Sequence, residues 1–116
     1  MPRHVVCPVA ELEPGSRRIV PTEEGSIGVF RVGAEYVALI NKCPHAGAPL
    51  CTGDITGRAE VNAEFEVTWG REGEILKCPW HRWEFDLLTG KSLTGPNFRA
   101  KRFDVAVEDD VIVLYT

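Results

Sequence analysis

Two short segments of this chain place a thiol beside an imidazole: Cys43-Pro44-His45 and Cys78-Pro79-Trp80-His81. Thiolates and neutral imidazoles are metal ligands. The spacing is Cys-x-His in the first segment and Cys-x2-His in the second. Pro44, Gly47, Pro49 and Pro79 stiffen or sharply turn the backbone around them. A metal site gains from that, because preorganised ligands lose less entropy when the metal binds. Two cysteines and two histidines satisfy one tetrahedral zinc. Structural zinc spacing, however, usually joins Cys to Cys and His to His within their own turns, and each segment here is mixed. Mixed loops suit a binuclear iron centre in which one iron takes both thiolates and the other both imidazoles.

Ligand loops of this kind need rigid strands beneath them. Turn signals recur at short intervals, at Pro14-Gly15, Gly25, Gly33, Gly53, Gly57, Gly70, Gly73, Gly90 and Gly95-Pro96. Between them lie short runs rich in β-branched and aromatic residues, which predict strands near 3–7, 17–21, 26–32, 35–41, 64–69, 74–78, 83–86, 98–107 and 110–115. Phe103-Asp104-Val105-Ala106-Val107 alternates as a half-buried strand does. Glu108-Asp109-Asp110 and Gly33-Ala34 read as hairpin turns. The one helical signal is a short turn around Val9 to Leu12, stopped by Pro14. The expected fold is all-β, a small antiparallel sandwich or barrel forming a single domain over 1–116. Each thiol–imidazole segment directly follows a predicted strand.

Composition narrows the function. The chain has 116 residues, 44% hydrophobic and 26% charged, as in an ordinary globular protein. Thirteen basic and 17 acidic residues leave a net charge of −4, which argues against a nucleic-acid binder. No apolar run approaches a membrane span. No signal-peptide core precedes Glu11 and Glu13, so the expected location is the cytoplasm. Disulfides are rare there, so the four cysteines read as free, catalytic or metal-bound. Cys7, in an apolar strand, and Cys51 read as small buried hydrophobes. His4 reads as a strand or surface histidine without a ligand role. The sequence holds no nucleophile elbow, phosphate loop, dinucleotide fingerprint or second two-histidine, one-carboxylate set. The chain therefore reads as a carrier and not as a complete catalyst.

Cys43-Pro44-His45-Ala46-Gly47-Ala48-Pro49-Leu50 and Cys78-Pro79-Trp80-His81-Arg82-Trp83-Glu84-Phe85-Asp86, followed by Thr89-Gly90, resemble the two cluster-binding loops of Rieske proteins. The resemblance is closest to Rieske-type ferredoxins and to the Rieske domains of ring-hydroxylating oxygenases. It implies a Rieske-type iron–sulfur fold with a two-loop cluster-binding tip and one [2Fe-2S] cluster per chain. By position, Cys43 and Cys78 would bind the inner iron, and His45 and His81 the outer one. Gly95-Pro96 sits where the family's proline-bearing covering loop should be. The function implied is that of a soluble one-electron carrier, passing electrons from a flavin-dependent ferredoxin reductase to a terminal oxygenase through transient contacts. The alternative is the small subunit of an assimilatory nitrite reductase or of another oxidoreductase complex.

The resemblance also bears on the reduction potential. Respiratory relatives of high potential carry a serine at the place of Trp83 and a tyrosine at that of Phe85. They pin the loops with a disulfide where this chain has Ala48 and Trp80. Without those hydroxyl donors the potential is expected toward about −150 mV rather than about +300 mV. Trp83 and Phe85 are expected to point inward on one strand face, and Trp80 to lie in a loop near the surface.

Two features depart from the family pattern. Arg82 stands where relatives commonly have glycine, so the local turn is expected to differ, with a fixed positive charge near the outer iron. Thirty-two residues separate His45 from Cys78, more than in compact relatives. The extra chain, around 52–74, is expected to contain a hairpin in which Glu64–Trp69 turns at Arg71-Glu72-Gly73.

Overall fold

The computed structural model describes residues 2–44, 47–80, 82–93 and 97–116. Strands β1 (Arg3–Pro8), β2 (Arg17–Thr22), β3 (Gly25–Val32), β4 (Glu35–Ile40), β8 (Arg102–Glu108) and β9 (Val111–Tyr115) form one antiparallel sheet in the order β1-β9-β8-β4-β3-β2. Strands β5 (Ile55–Val61), β6 (Val67–Lys77) and β7 (Glu84–Asp86) form a second, in the order β5-β6-β7. The described residues contain no α-helix, only short 3-10 turns at Val9–Glu11 and Leu50–Thr52. None of them forms a helix long and apolar enough to cross a membrane. The all-β expectation holds.

The large sheet is buried on both faces at its centre, so β3 reads as a continuous buried run from Ile27 to Phe30. Alternation still sorts the side chains. Ile27, Val29 and Ala38 join one apolar core with Leu12, Ile112 and Leu114. Phe30, Val37 and Leu39 point the other way, into a core shared with Leu50, Leu76, Phe85 and Leu87 of the smaller sheet and its loops. Fully burying such a side chain contributes about 1.5–3 kcal/mol. The second core is the one that touches the candidate site.

Turn chemistry accounts for the connections. Asp109 and Asp110 both have positive φ, 52° and 63°, as a two-residue hairpin between β8 and β9 requires. Gly33, at φ 60°, turns β3 into β4. Both hairpins lie where the sequence places them.

The segment between the ligand loops corrects the expectation. Residues 55–61, not foreseen as a strand, form β5, and the hairpin turns at residues 62–66. Asn62 makes that turn: its Oδ1 accepts from the backbone N–H groups of Glu64 and Glu66, both at 3.0 Å. Residues 71–73 instead form a bulge inside β6, where Thr56 pairs with Ile75 but Arg58 with Gly70. The positive φ of Arg71 and Gly73 is used there. The Arg71 guanidinium fixes the bulge through Glu74 at 3.0 Å and Asp86 at 2.8 Å. A second correction concerns β8, which starts at Arg102 and not near 98. The preceding residues pair with residues 90–92 instead, where Ser92 N–H donates to Phe98 O and Ala100 N–H to Gly90 O, both at 2.8 Å.

Candidate metal centre

Cys43 lies three residues beyond β4, and Cys78 directly follows β6. Each β-strand therefore delivers one thiol to the same core. Both cysteines are buried there, beside Leu50, Leu76, Phe85 and Leu87, and neither is in a disulfide. His45 and His81 lie outside the described residues, as does Gly95-Pro96.

The two loops close by the same backbone pattern. Cys43 N–H donates to Ala48 O at 2.8 Å, and Gly47 N–H returns to Cys43 O at 2.7 Å. Cys78 N–H donates to Trp83 O, and Arg82 N–H returns to Cys78 O, both at 2.8 Å. In each loop the fourth residue after the cysteine is left-handed, Gly47 at φ 75° and Arg82 at φ 55°. Both histidine positions fall, in sequence, inside these closed turns.

Arg82 thus keeps the turn that it was expected to alter. A side chain at that φ costs about 1–2 kcal/mol. Its guanidinium reaches Asp54 at 3.4 Å, but both groups are exposed and such a pair contributes little. Arg82→Gly is therefore expected to raise stability by up to about 1 kcal/mol, seen as a Tm increase of a few degrees. A fall in Tm on thermal unfolding would show that the arginine's contacts outweigh the strain.

Three contacts hold the chain at Cys51 and Gly53, just beyond the first loop. The Asn41 side chain accepts from Cys51 N–H at 2.7 Å. The Arg17 guanidinium donates to the carbonyls of Cys51, at 2.9 Å, and Gly53. Gly28 leaves room for Cys51, since a Cβ there would lie 2.5 Å from the Cys51 thiol. Sequence reasoning missed Arg17 and Asn41, because neither carries a motif and Arg17 comes from a distant strand.

The other two thiols are buried, as expected. Burial pushes the Cys51 thiol up to about 12, so it stays neutral, directed at the carbonyls of Leu39 and Ile40. Cys7 is buried in the opposite core. His4 meets Thr116 at 3.1 Å and Glu23 at 3.3 Å. Among the described residues no three ligand-type side chains converge on a metal. What they provide is a pair of buried thiols, neither in a disulfide, in matched loops. Soft thiolates among apolar side chains fit iron–sulfur chemistry.

The shell around the thiols is apolar. Phe85 is fully buried, Trp83 packs against the same core, and its ring lies 5.6 Å from that of Phe98. Trp80, in contrast, is 60% exposed.

The Rieske [2Fe-2S] domain family matches residues 3–108. Mouse apoptosis-inducing factor 3 is 31% identical over 110 residues, which is 94% of this chain but 16% of that protein. The chain thus spans about one sixth of that relative. The ferredoxin subunit of the 3-phenylpropionate/cinnamic acid dioxygenase of Escherichia coli is 31% identical over 96 residues, covering 83% of this chain and 76% of that subunit. The structure is similar to that of the ferredoxin of carbazole 1,9a-dioxygenase from Nocardioides aromaticivorans, with a TM-score of 0.74 and 25% identity over 98% of this chain and 97% of that one.

Proposed function

This chain belongs to the Rieske [2Fe-2S] domain family, and from that premise we propose that it is a one-electron carrier feeding an oxygenase. The family's cofactor is a Rieske-type [2Fe-2S] cluster, which supplies a single-electron couple when bound. We assign its inner iron to Cys43 and Cys78 and its outer iron to His45 and His81. The observation that carries this reading is the pair of buried thiols, neither in a disulfide, in two loops closed by one hydrogen-bond pattern.

The chain's own residues then have distinct tasks. The apolar side chains around Cys43 and Cys78 keep water from the thiolates. The closing hydrogen bonds hold the loops in one geometry, so little reorganisation accompanies a change in charge. The electron comes from a flavin-dependent reductase and goes to a terminal oxygenase, in the cytoplasm. Two of the similar proteins support this role, being ferredoxins of dioxygenase systems. The chain serves as an electron-transfer component and carries out no substrate chemistry of its own.

A redox titration followed by electron paramagnetic resonance tests the reading. Phe85 and Trp83 offer no hydroxyl to the sulfurs, so a mixed-ligand signal is expected near about −150 mV. The same signal at a clearly positive potential would exclude the oxygenase-feeding role. Colourless protein with bound zinc would exclude the cluster.

A further inference from the structure

Charge is unevenly distributed along this chain. Residues 41–54, 77–83 and 91–99 hold five cations and one carboxylate. The remainder holds eight cations and sixteen carboxylates. The structure brings described residues of those three segments together. Cys43 and Cys78 share one core, the Trp83–Phe98 ring contact ties the third segment to the second loop, and Lys91 pairs with Arg99 across a β-bridge.

Lys42, Arg82, Lys91 and Arg99 are all exposed on these segments. Of these four, only Arg82 has an ion-pair partner among the described residues, the lone carboxylate Asp54. Nearby Glu84 and Asp86 are turned to Arg58 and Arg71. Cations elsewhere are largely matched, as in Arg3–Glu108, Arg18–Glu11 and Lys101–Glu24. The acidic residues Glu64 and Glu66 sit at the opposite end of β6 from Cys78. Exposed Trp80 stands within the basic end.

We propose that the end bearing Cys43 and Cys78 is a basic docking face for a protein partner whose contact surface is acidic and takes up the Trp80 indole. This rests on the carrier reading and specifies the partner's chemistry. The net charge of −4 would repel such a partner at long range. At about 0.1 M salt, however, the screening length is about 10 Å, so the nearest charges decide. Basic clusters of this kind steer association and make its rate salt-dependent.

Small redox reagents read the local sign without the partner in hand. The dithionite-reduced protein passes one electron to ferricyanide, giving ferrocyanide, or to tris(phenanthroline)cobalt(III), giving cobalt(II). Ferricyanide is an anion and the cobalt complex a cation. Between about 50 mM and about 500 mM salt, the ferricyanide rate constant is expected to fall about five-fold and the cobalt rate constant to rise. Lys42→Glu with Arg99→Glu should reverse both trends. Arg3→Glu with Arg18→Glu makes the same change in net charge elsewhere and should leave both trends in place.

Rates that follow the net charge, rising with salt for ferricyanide, would overturn the basic face while leaving the carrier reading standing. So would a control pair that reverses the trends as strongly as the first. A protein that takes up no electron from dithionite would overturn the carrier reading and this proposal with it.

Discussion

Cys43→Ala and Cys78→Ala are each expected to yield protein without visible colour, iron or a paramagnetic signal, whereas Cys7→Ala and Cys51→Ala keep all three. The four cysteines are all buried and none is in a disulfide, so burial alone does not separate them. Their surroundings do. Cys43 and Cys78 begin the two matched loops and share a core with each other. Cys51 faces the carbonyls of Leu39 and Ile40, and burial holds its thiol neutral. Only a thiolate serves as ligand. Losing one of the two inner ligands leaves the iron an open position and an uncompensated charge, which smaller side chains cannot repair. Metal analysis and absorbance on the four purified variants decide the matter. Iron retained in Cys43→Ala, or lost in Cys51→Ala, would overturn the ligand assignment.

Gly53→Ala is expected to destabilise the protein by about 3 kcal/mol or more, with a Tm loss of about 10 °C and reduced iron content. The backbone angles at Gly53, φ −73° and ψ 173°, suit any residue, so conformational preference is not the cause. Space is. An added Cβ would lie 1.7 Å from the Lys77 carbonyl oxygen and 3.2 Å from that of Leu50. Neither can move alone. Lys77 N–H is bonded to Asp54 O at 2.9 Å, and Lys77 pairs with Glu84 across the sheet. Lys77 also immediately precedes Cys78, so a displaced carbonyl carries the second loop with it. Gly15→Ala is the control. That glycine is left-handed, φ 86°, with no neighbour within 4 Å of an added Cβ, and should cost only about 1 kcal/mol. Equal losses from both substitutions, measured by thermal unfolding, would show that the two loops are not locked together at Gly53.

Most of the fold was legible because its signals are local. Period-2 alternation, β-branched runs and paired turn residues placed β1 to β4, β7 and β9 within a residue or two. The 52–74 segment was misread for a local reason as well. Gly73 resembles a hairpin turn more than Asn62 does, yet Arg71 has partners on β7 and on its own strand that absorb the glycine into a bulge. No sequence window contains both Arg71 and Asp86 as contacts. The exposed apolar residues of that hairpin, Val61, Phe65, Val67 and Trp69, likewise gave a strand-like pattern without a buried face to match.

The candidate ligands and their family follow from residue type and spacing alone, since thiols and imidazoles at short separations carry their chemistry wherever the backbone takes them. The apolar character of Trp83 and Phe85, and with it the expected low potential, is also fixed by residue identity. Tertiary structure shows what surrounds each thiol: Cys51 faces the carbonyls of Leu39 and Ile40, and Cys43 and Cys78 share one apolar core. It decided that Arg82 takes the same left-handed turn as Gly47, a choice set by closing hydrogen bonds that outweigh a side chain's preference. It also paired Lys91 with Arg99 and set Phe98 against Trp83, contacts that separation along the chain hides.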